Sequence, residues 1–252
     1  DMGIRGAGIA TAMGAGISTL VMLTHFFKKS NTLRLQFSKE IFRLFGRITV
    51  NGFSSFIIDV AMGVLTMLFN RQIMKYLGTD ALAVYGVIVS VSTLVQCCSY
   101  GIGQASQPII SQNYGAGNVG RIKKMLRYNI ITAAIFGAVW AAITFAVPNG
   151  LIRLFMTPTA SVLAIAPAII RIYGSSFLLL PFNVYSTYYF QATMRAKTSM
   201  FVSVARGILI SGALILIIPV TLGADMIWWA MPVTELVVAV FAGAMMAKKI
   251  QL

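Results

Sequence analysis

SSFIIDVAMGVLTMLF, residues 54–69, is apolar almost from end to end, yet Asp59 sits in its middle. An ionised group is costly in an apolar medium. The stretch therefore poses two questions: what surrounds it, and what holds a carboxylate there. The whole chain answers the first. Hydrophobic residues make up 58% of its 252 residues and charged residues only 10%, and the mean hydropathy is +0.83. A soluble globular domain carries about 25% charged residues. Apolar runs of about 20 residues are long enough to cross a bilayer as helices. A segment in lipid must satisfy its own backbone, as a helix or a closed barrel. The runs here lack the strict alternation of barrel strands, so an all-α, polytopic membrane helix bundle is expected.

Seven apolar helices are expected, near 6–27, 48–74, 81–112, 123–147, 162–194, 199–220 and 226–247. Between them lie a basic loop with an amphipathic stretch (28–47), a Gly-rich turn (115–121), a connector with a short interfacial segment (148–160) and a tight turn (222–225). The fifth run contains Pro167 and Pro181. Cys97 and Cys98 are adjacent in an apolar run and are expected to pack as small apolar side chains. Residue 1 is Asp, and the chain opens directly onto an apolar run, so it is expected to be part of a longer protein.

The net charge of +14 comes from basic residues placed between apolar runs, with no nucleic-acid-binding motif. When loops are assigned to alternating sides, three quarters of the 20 basic residues fall on one side. That side is expected to be cytoplasmic and to hold the C-terminus. The scheme puts Trp228 and Trp229 at the outer interface, where indoles are favoured. Arg171 and Arg206 enter helices near their ends, and snorkelling accounts for both.

Of six acidic residues, only Asp59 and Glu235 fall inside expected spans. Asp59 is twelve residues from both Arg47 and Arg71, about 18 Å along a helix from either, and so near mid-membrane. Intramembrane ionisable groups usually mark ion or substrate paths. Helical spacing gathers Asn51, Ser55, Gly63, Thr66 and Asn70 onto the face of Asp59. The third helix carries a similar stripe of Gln96, Tyr100, Gly103, Gln107 and Ser111. The fifth carries Ser176, Asn183, Thr187 and Gln191. Three such helices facing one another enclose a polar, partly hydrated interior. Ser, Thr and Gly in membrane helices also serve packing alone. A carboxylate among hydroxyl and amide oxygens is a candidate site for a proton or for Na+, with Asp59 as the ligand. Neutralising it by a cation gives a way to couple a gradient to a change of conformation. No His cluster or paired carboxylates appear, so an enzyme is not expected, nor a cofactor beyond the coupling ion.

GIGQASQPIISQNYGAGNVGRIKKML (101–126) resembles a signature of the multidrug and toxic compound extrusion (MATE) family. In that pattern a Gly-Gln-Ala-x-x-Pro run leads to an Asn-x-Gly-Ala turn and a basic helix start. GIRGAGIAT (3–11) is similar to the opening of the family's sixth helix, and LIRLFMTP (151–158) to its segment before the tenth. RGILISGALILIIPVTLGADMIWWAMPVTE (206–235) is similar to its eleventh and twelfth helices. The resemblance implies twelve helices in two six-helix bundles. Residues 1–27 are then the last helix of the first bundle, 28–47 the cytoplasmic inter-bundle loop, and 48–252 the second bundle. It implies a partner bundle, N-terminal in the same protein, and a cation-driven antiporter exporting small amphipathic, cationic organic compounds across a prokaryotic plasma membrane. FIID matches the family's seventh-helix F-x-x-[DE], which assigns cation coupling to Asp59 with Ser55 and Asn51. Asn183 is the nearest polar residue where some members carry a tenth-helix acid. Gln96, Tyr100, Gln107, Met62, Thr66, Thr187 and Glu235 are the expected substrate-cavity residues. A flippase for lipid-linked oligosaccharides, with a cavity lined by Arg or Lys, and a non-catalytic assembly subunit are the alternatives.

Overall fold

The computed structural model describes residues 3–27 and 41–247, with the side chains of 3, 4, 7, 25, 41–44 and 46–59 outside that description. The chain divides into two compact units, Asp1–Thr49 and Val50–Leu252. The first contains α1 (Gly3–Leu23). The helix α2 (Ile41–Tyr76) leads into the second. There follow α3 (Gly78–Gly115), α4 (Val119–Ala146), α5 (Pro148–Phe155), α6 (Ala160–Gly174), α7 (Leu180–Ala192), α8 (Ala196–Val204), α9 (Ile210–Thr221) and α10 (Ala230–Ala247). No strand occurs among the described residues. Five helical stretches there are long and apolar enough to cross a bilayer: Gly78–Gly115, Val119–Ala146, Ala160–Ala192, Ala196–Thr221 and Ala224–Ala247. The chain is a multi-pass helical membrane protein.

Three of these spans are not uniform helices. The fifth expected run is continuous in path but broken at Ser175–Leu178, a 3-10 turn between α6 and α7. Pro181 begins α7 within its first turn, where a missing N–H costs nothing. The sixth run carries a π-helical segment, Ala205–Leu209, between α8 and α9. The last span opens as a 3-10 helix, Ala224–Trp229.

Apolar side chains face both ways, as a bundle in lipid requires. Ile131, Ile135 and Val139 form an exposed line along α4, and Leu236, Val237 and Val240 are exposed on α10. Lipid is as apolar as leucine, so burial does not drive these helices together; close packing does. Glycines mark the tight crossings. A Cβ on Gly137 of α4 would meet the Leu178 carbonyl oxygen at 2.6 Å, and one on Gly174 would overlap the Thr144 side chain. One core cluster is built around rings: Phe69 stacks on Tyr85 with centroids 4.9 Å apart, and Tyr173 and Trp228 lie 6.5 and 6.3 Å from Tyr85. A second cluster joins Ile110, Tyr185, Tyr189, Phe190, Val202 and Val238.

Trp228 is buried in the ring cluster and its neighbour Trp229 is exposed on the opposite side of the same turn. One expectation is corrected here. Cys97 and Cys98 are exposed on α3 rather than packed inside, since the inward face of that stretch is taken by Val95, Gln96 and Ser99.

Helix ends show where the sequence departs from the easiest backbone. Gly117, at φ 71°, closes α3: its N–H donates to the Tyr114 carbonyl (3.1 Å) and that of Asn118 to Asn113 (2.9 Å). The same motif closes α7, but with Met194 at φ 58°: its N–H donates to Gln191 (3.1 Å) and that of Arg195 to Phe190 (2.8 Å). A left-handed conformation costs a non-glycine residue about 1 kcal/mol, and the Met194 side chain is exposed. Met194→Gly is expected to raise stability by about 1 kcal/mol, read as a higher midpoint of thermal unfolding in detergent; an unchanged or lower midpoint contradicts the assignment.

Candidate functional site

The polar heart of the bundle forms where three spans pass from one apolar cluster to the other. On α7, Asn183 lies between Leu180 of the ring cluster and Tyr185 of the second. On the last span, Glu235 lies between Met231 and Val238, and on the sixth, Arg206 lies between Val202 and Ile215. These three residues meet. Arg206 Nε donates to Glu235 Oε1 at 2.7 Å. Asn183 Nδ2 donates to Glu235 Oε2 at 2.6 Å and to the Glu235 carbonyl at 2.8 Å. Glu235 and Asn183 are fully buried, and the Arg206 side chain is 14% exposed. Each carboxylate oxygen thus has a donor, which is what a charge needs to persist away from water.

Local geometry delivers Arg206 to this place. The π-helical segment accommodates an extra residue and shifts the helix phase, a feature frequent at functional sites. Ser211 Oγ donates to the Arg206 carbonyl at 2.7 Å, five residues back, holding the widened turn. Gly207 lets the backbone come close to α2, where an added Cβ would stand 3.0 Å from that of Ala61. Arg206 is about 15 Å along the span from Ala196. It does not snorkel, as its position near a helix end suggested; it turns inward to an acid. The 3-10 turn acts on Glu235 in the same sense. It rises about 2.0 Å per residue against 1.5 Å for an α-helix, so Glu235 lies deeper than an α-helical count from Asp225 places it.

Beside the network is a cavity of about 300 Å³. Arg206, Tyr100, Gln104, Thr187, Tyr188 and Gln191 give it polar walls, and Met62 and Val184 give it apolar ones. Gln96 Nε2 donates to the Tyr100 hydroxyl at 2.8 Å, and Gln104 Nε2 to that of Tyr188 at 3.3 Å. Lower down, Gln107 Nε2 donates to Gln191 Oε1 at 3.2 Å. The stripes expected on the third and fifth runs therefore do face each other, as α3 and α7.

Other expected site residues sit apart. Thr66 Oγ1 donates to the Met62 carbonyl of its own helix at 3.0 Å and is not on the cavity wall. Glu235 reaches the cavity only through Arg206. Asp59, Ser55 and Asn51 fall within α2, with side chains outside the described residues. Arg206 was the residue that sequence reasoning missed. The signal was present as opposite charges on consecutive apolar runs, Arg206 and Glu235, with Ser211 five residues after the arginine.

The α3–α7 wall also rests on Gly103, where a Cβ would overlap the Tyr188 ring. Gly103→Ala is expected to displace Tyr188 and cost about 1–3 kcal/mol, measured by thermal unfolding beside Gly101→Ala, which meets open space. Equal effects of the two substitutions contradict the contact.

Comparison with known proteins agrees with this architecture. The MatE family model matches residues 53–218. The chain is 24% identical over 244 residues to a multidrug export protein MepA of Staphylococcus saprophyticus, covering 96% of this chain and 53% of that one. It is also 24% identical over 241 residues to MepA of Staphylococcus haemolyticus, covering 95% and 52%. Among solved structures, an outward-facing multidrug resistance MATE family transporter of the MOP superfamily superposes with a TM-score of 0.83 at 20% identity, covering 96% of this chain and 55% of that one. The MATE multidrug transporter DinF-BH, in complex with R6G, gives 0.80 at 23% identity, covering 98% and 56%. These likenesses establish the fold, and the chain spans about half the length of the relatives it matches. With the family model matching more than half of the sequence, this chain belongs to the MatE family.

Proposed function

We propose that this chain forms one half of a secondary active antiporter that exports small amphipathic organic compounds, driven by a proton or sodium gradient. The observation that carries the reading is the cavity between α3, α7 and the π-helical segment. Its walls mix hydroxyls and amides with Met62 and Val184, the composition of a site for varied amphipathic molecules. The multidrug export relatives support the same reading. In it, residues 1–27 are the last helix of a first bundle, 28–47 the inter-bundle loop, and 48–252 the second bundle, with the C-terminus in the cytoplasm of a prokaryotic cell. Alternating access needs both bundles, so the first five helices of the same protein are the necessary partner. Asp59 is the coupling residue, aided by Ser55 and Asn51, and the proton or Na+ it takes up is transported rather than kept.

A flippase for lipid-linked oligosaccharides is favoured by one observation, the presence of Arg206 on the cavity wall. The other described lining residues are neutral, and the space is about 300 Å³, so the exporter is preferred. Asp59→Asn in the full-length protein is expected to cut gradient-driven dye efflux from proteoliposomes at least about tenfold, the scale for losing an essential proton-transfer group, with the unfolding midpoint retained. Unimpaired efflux removes Asp59 from the coupling role.

A further inference from the structure

We infer that the Arg206 end of the cavity binds an anionic group of the transported molecule, a carboxylate, sulfonate or phosphate on an amphipathic body. The inference rests on the exporter reading and goes beyond it to the charge of the cargo. Arg206 and Glu235 neutralise each other in sum, but they are not equally placed. Glu235 is fully buried and absent from the cavity wall, whereas Arg206 lines it. The space therefore meets the positive end of the pair. Among the described residues the guanidinium makes its hydrogen bond through Nε. Its terminal nitrogens are a two-pronged donor of the kind that matches carboxylate and sulfonate oxygens. No acidic residue is among the described lining residues. The Tyr188 hydroxyl accepts from Gln104 and keeps its own O–H to donate. Apolar walls of Met62 and Val184 suit the rest of an amphipathic anion, and low local polarity strengthens each contact to the charge. Asn183 and Glu235 act as positioning residues: Asn183 holds the carboxylate, and the carboxylate holds the guanidinium of Arg206, which lines the cavity.

Calorimetric titration of the full-length protein in neutral detergent tests this with two probes of one shape, naphthalene sulfonate and naphthyl trimethylammonium. The sulfonate is expected to bind at least about tenfold tighter, the range for a charge-assisted hydrogen bond. Equal or tighter binding of the ammonium overturns the inference. Arg206→Gln with Glu235→Gln keeps a neutral hydrogen-bonding pair and should erase the preference; its persistence also overturns the inference. Should that double variant fail to fold, Ser203→Asp places a carboxylate on the same wall without touching the pair. It must weaken sulfonate binding by at least about tenfold, and an undiminished affinity is contrary. Displacement of the sulfonate by phosphatidylglycerol, but not phosphatidylcholine, reassigns the site to a lipid headgroup and overturns the cargo assignment. Gradient-driven efflux of both probes separates the two readings. No export of either, with the binding preference intact, defeats the exporter and leaves the anion site standing. Export without a charge preference in binding does the reverse.

Discussion

A charged pair buried where three membrane spans cross is the constraint on which this bundle depends. Arg206 and Glu235 meet at 2.7 Å, and Asn183 satisfies the second carboxylate oxygen and the Glu235 backbone carbonyl together. In lipid no hydrophobic force assembles helices, and an unpaired charge at this depth is costly. The pair therefore sets which helices must be neighbours and at what height. The two apolar clusters, one built on Phe69, Tyr85, Tyr173 and Trp228 and the other on Tyr185, Tyr189 and Phe190, meet at this level on all three spans.

Irregular backbone makes the meeting possible. A regular helix through 196–221 gives Arg206 a different phase; the π-helical segment, fastened by Ser211, turns it inward. The 3-10 opening of the last span lowers Glu235, and the break at Ser175–Leu178 starts α7 afresh just before Asn183. Broken helices at membrane depth are tolerated where protein or a cavity covers the backbone, which is the situation here. Glycines at the crossings remove the side chains that would hold helices apart, Gly103 beneath Tyr188 and Gly137 beneath the Leu178 carbonyl.

Much of this was legible in the sequence, and the part that was not has identifiable causes. The apolar runs, the turn at Gly117 and the short helix Pro148–Phe155 follow from hydropathy, glycine and proline, which act locally. The stripes of Gln96, Tyr100 and Gln107 on α3 and of Asn183, Thr187 and Gln191 on α7 follow from helical spacing; the structure joins the two helices through Gln107–Gln191 and Gln104–Tyr188, while Asn183 turns to Glu235 on α10. Snorkelling of Arg206 follows from a count that places it near a helix end; the span begins at Ala196, and the acid that draws Arg206 inward lies on another run, so local sequence does not show the pairing. Burial of Trp228 against Tyr85, beside an exposed Trp229, depends on which helices pack around the span, and that is not written in its local sequence. The carboxylate that opened the reading, Asp59, lies within α2 with its side chain outside the described residues. The acid whose role the structure displays is Glu235.

The pair also links the fold to the cavity. The carboxylate is sequestered while Arg206 lines the cavity, so a group that stabilises the bundle also places a positive charge on the cavity wall. The most direct test is a double-mutant cycle on the unfolding free energy of the full-length protein, with Glu235→Leu, Arg206→Met and both together. A buried pair predicts that either single change is strongly destabilising, by about 3 kcal/mol or more. It also predicts that the double change recovers much of the loss, with a coupling above about 1.5 kcal/mol. Single effects that simply add, within about 0.5 kcal/mol, contradict a direct buried interaction and with it the account of how these spans are held.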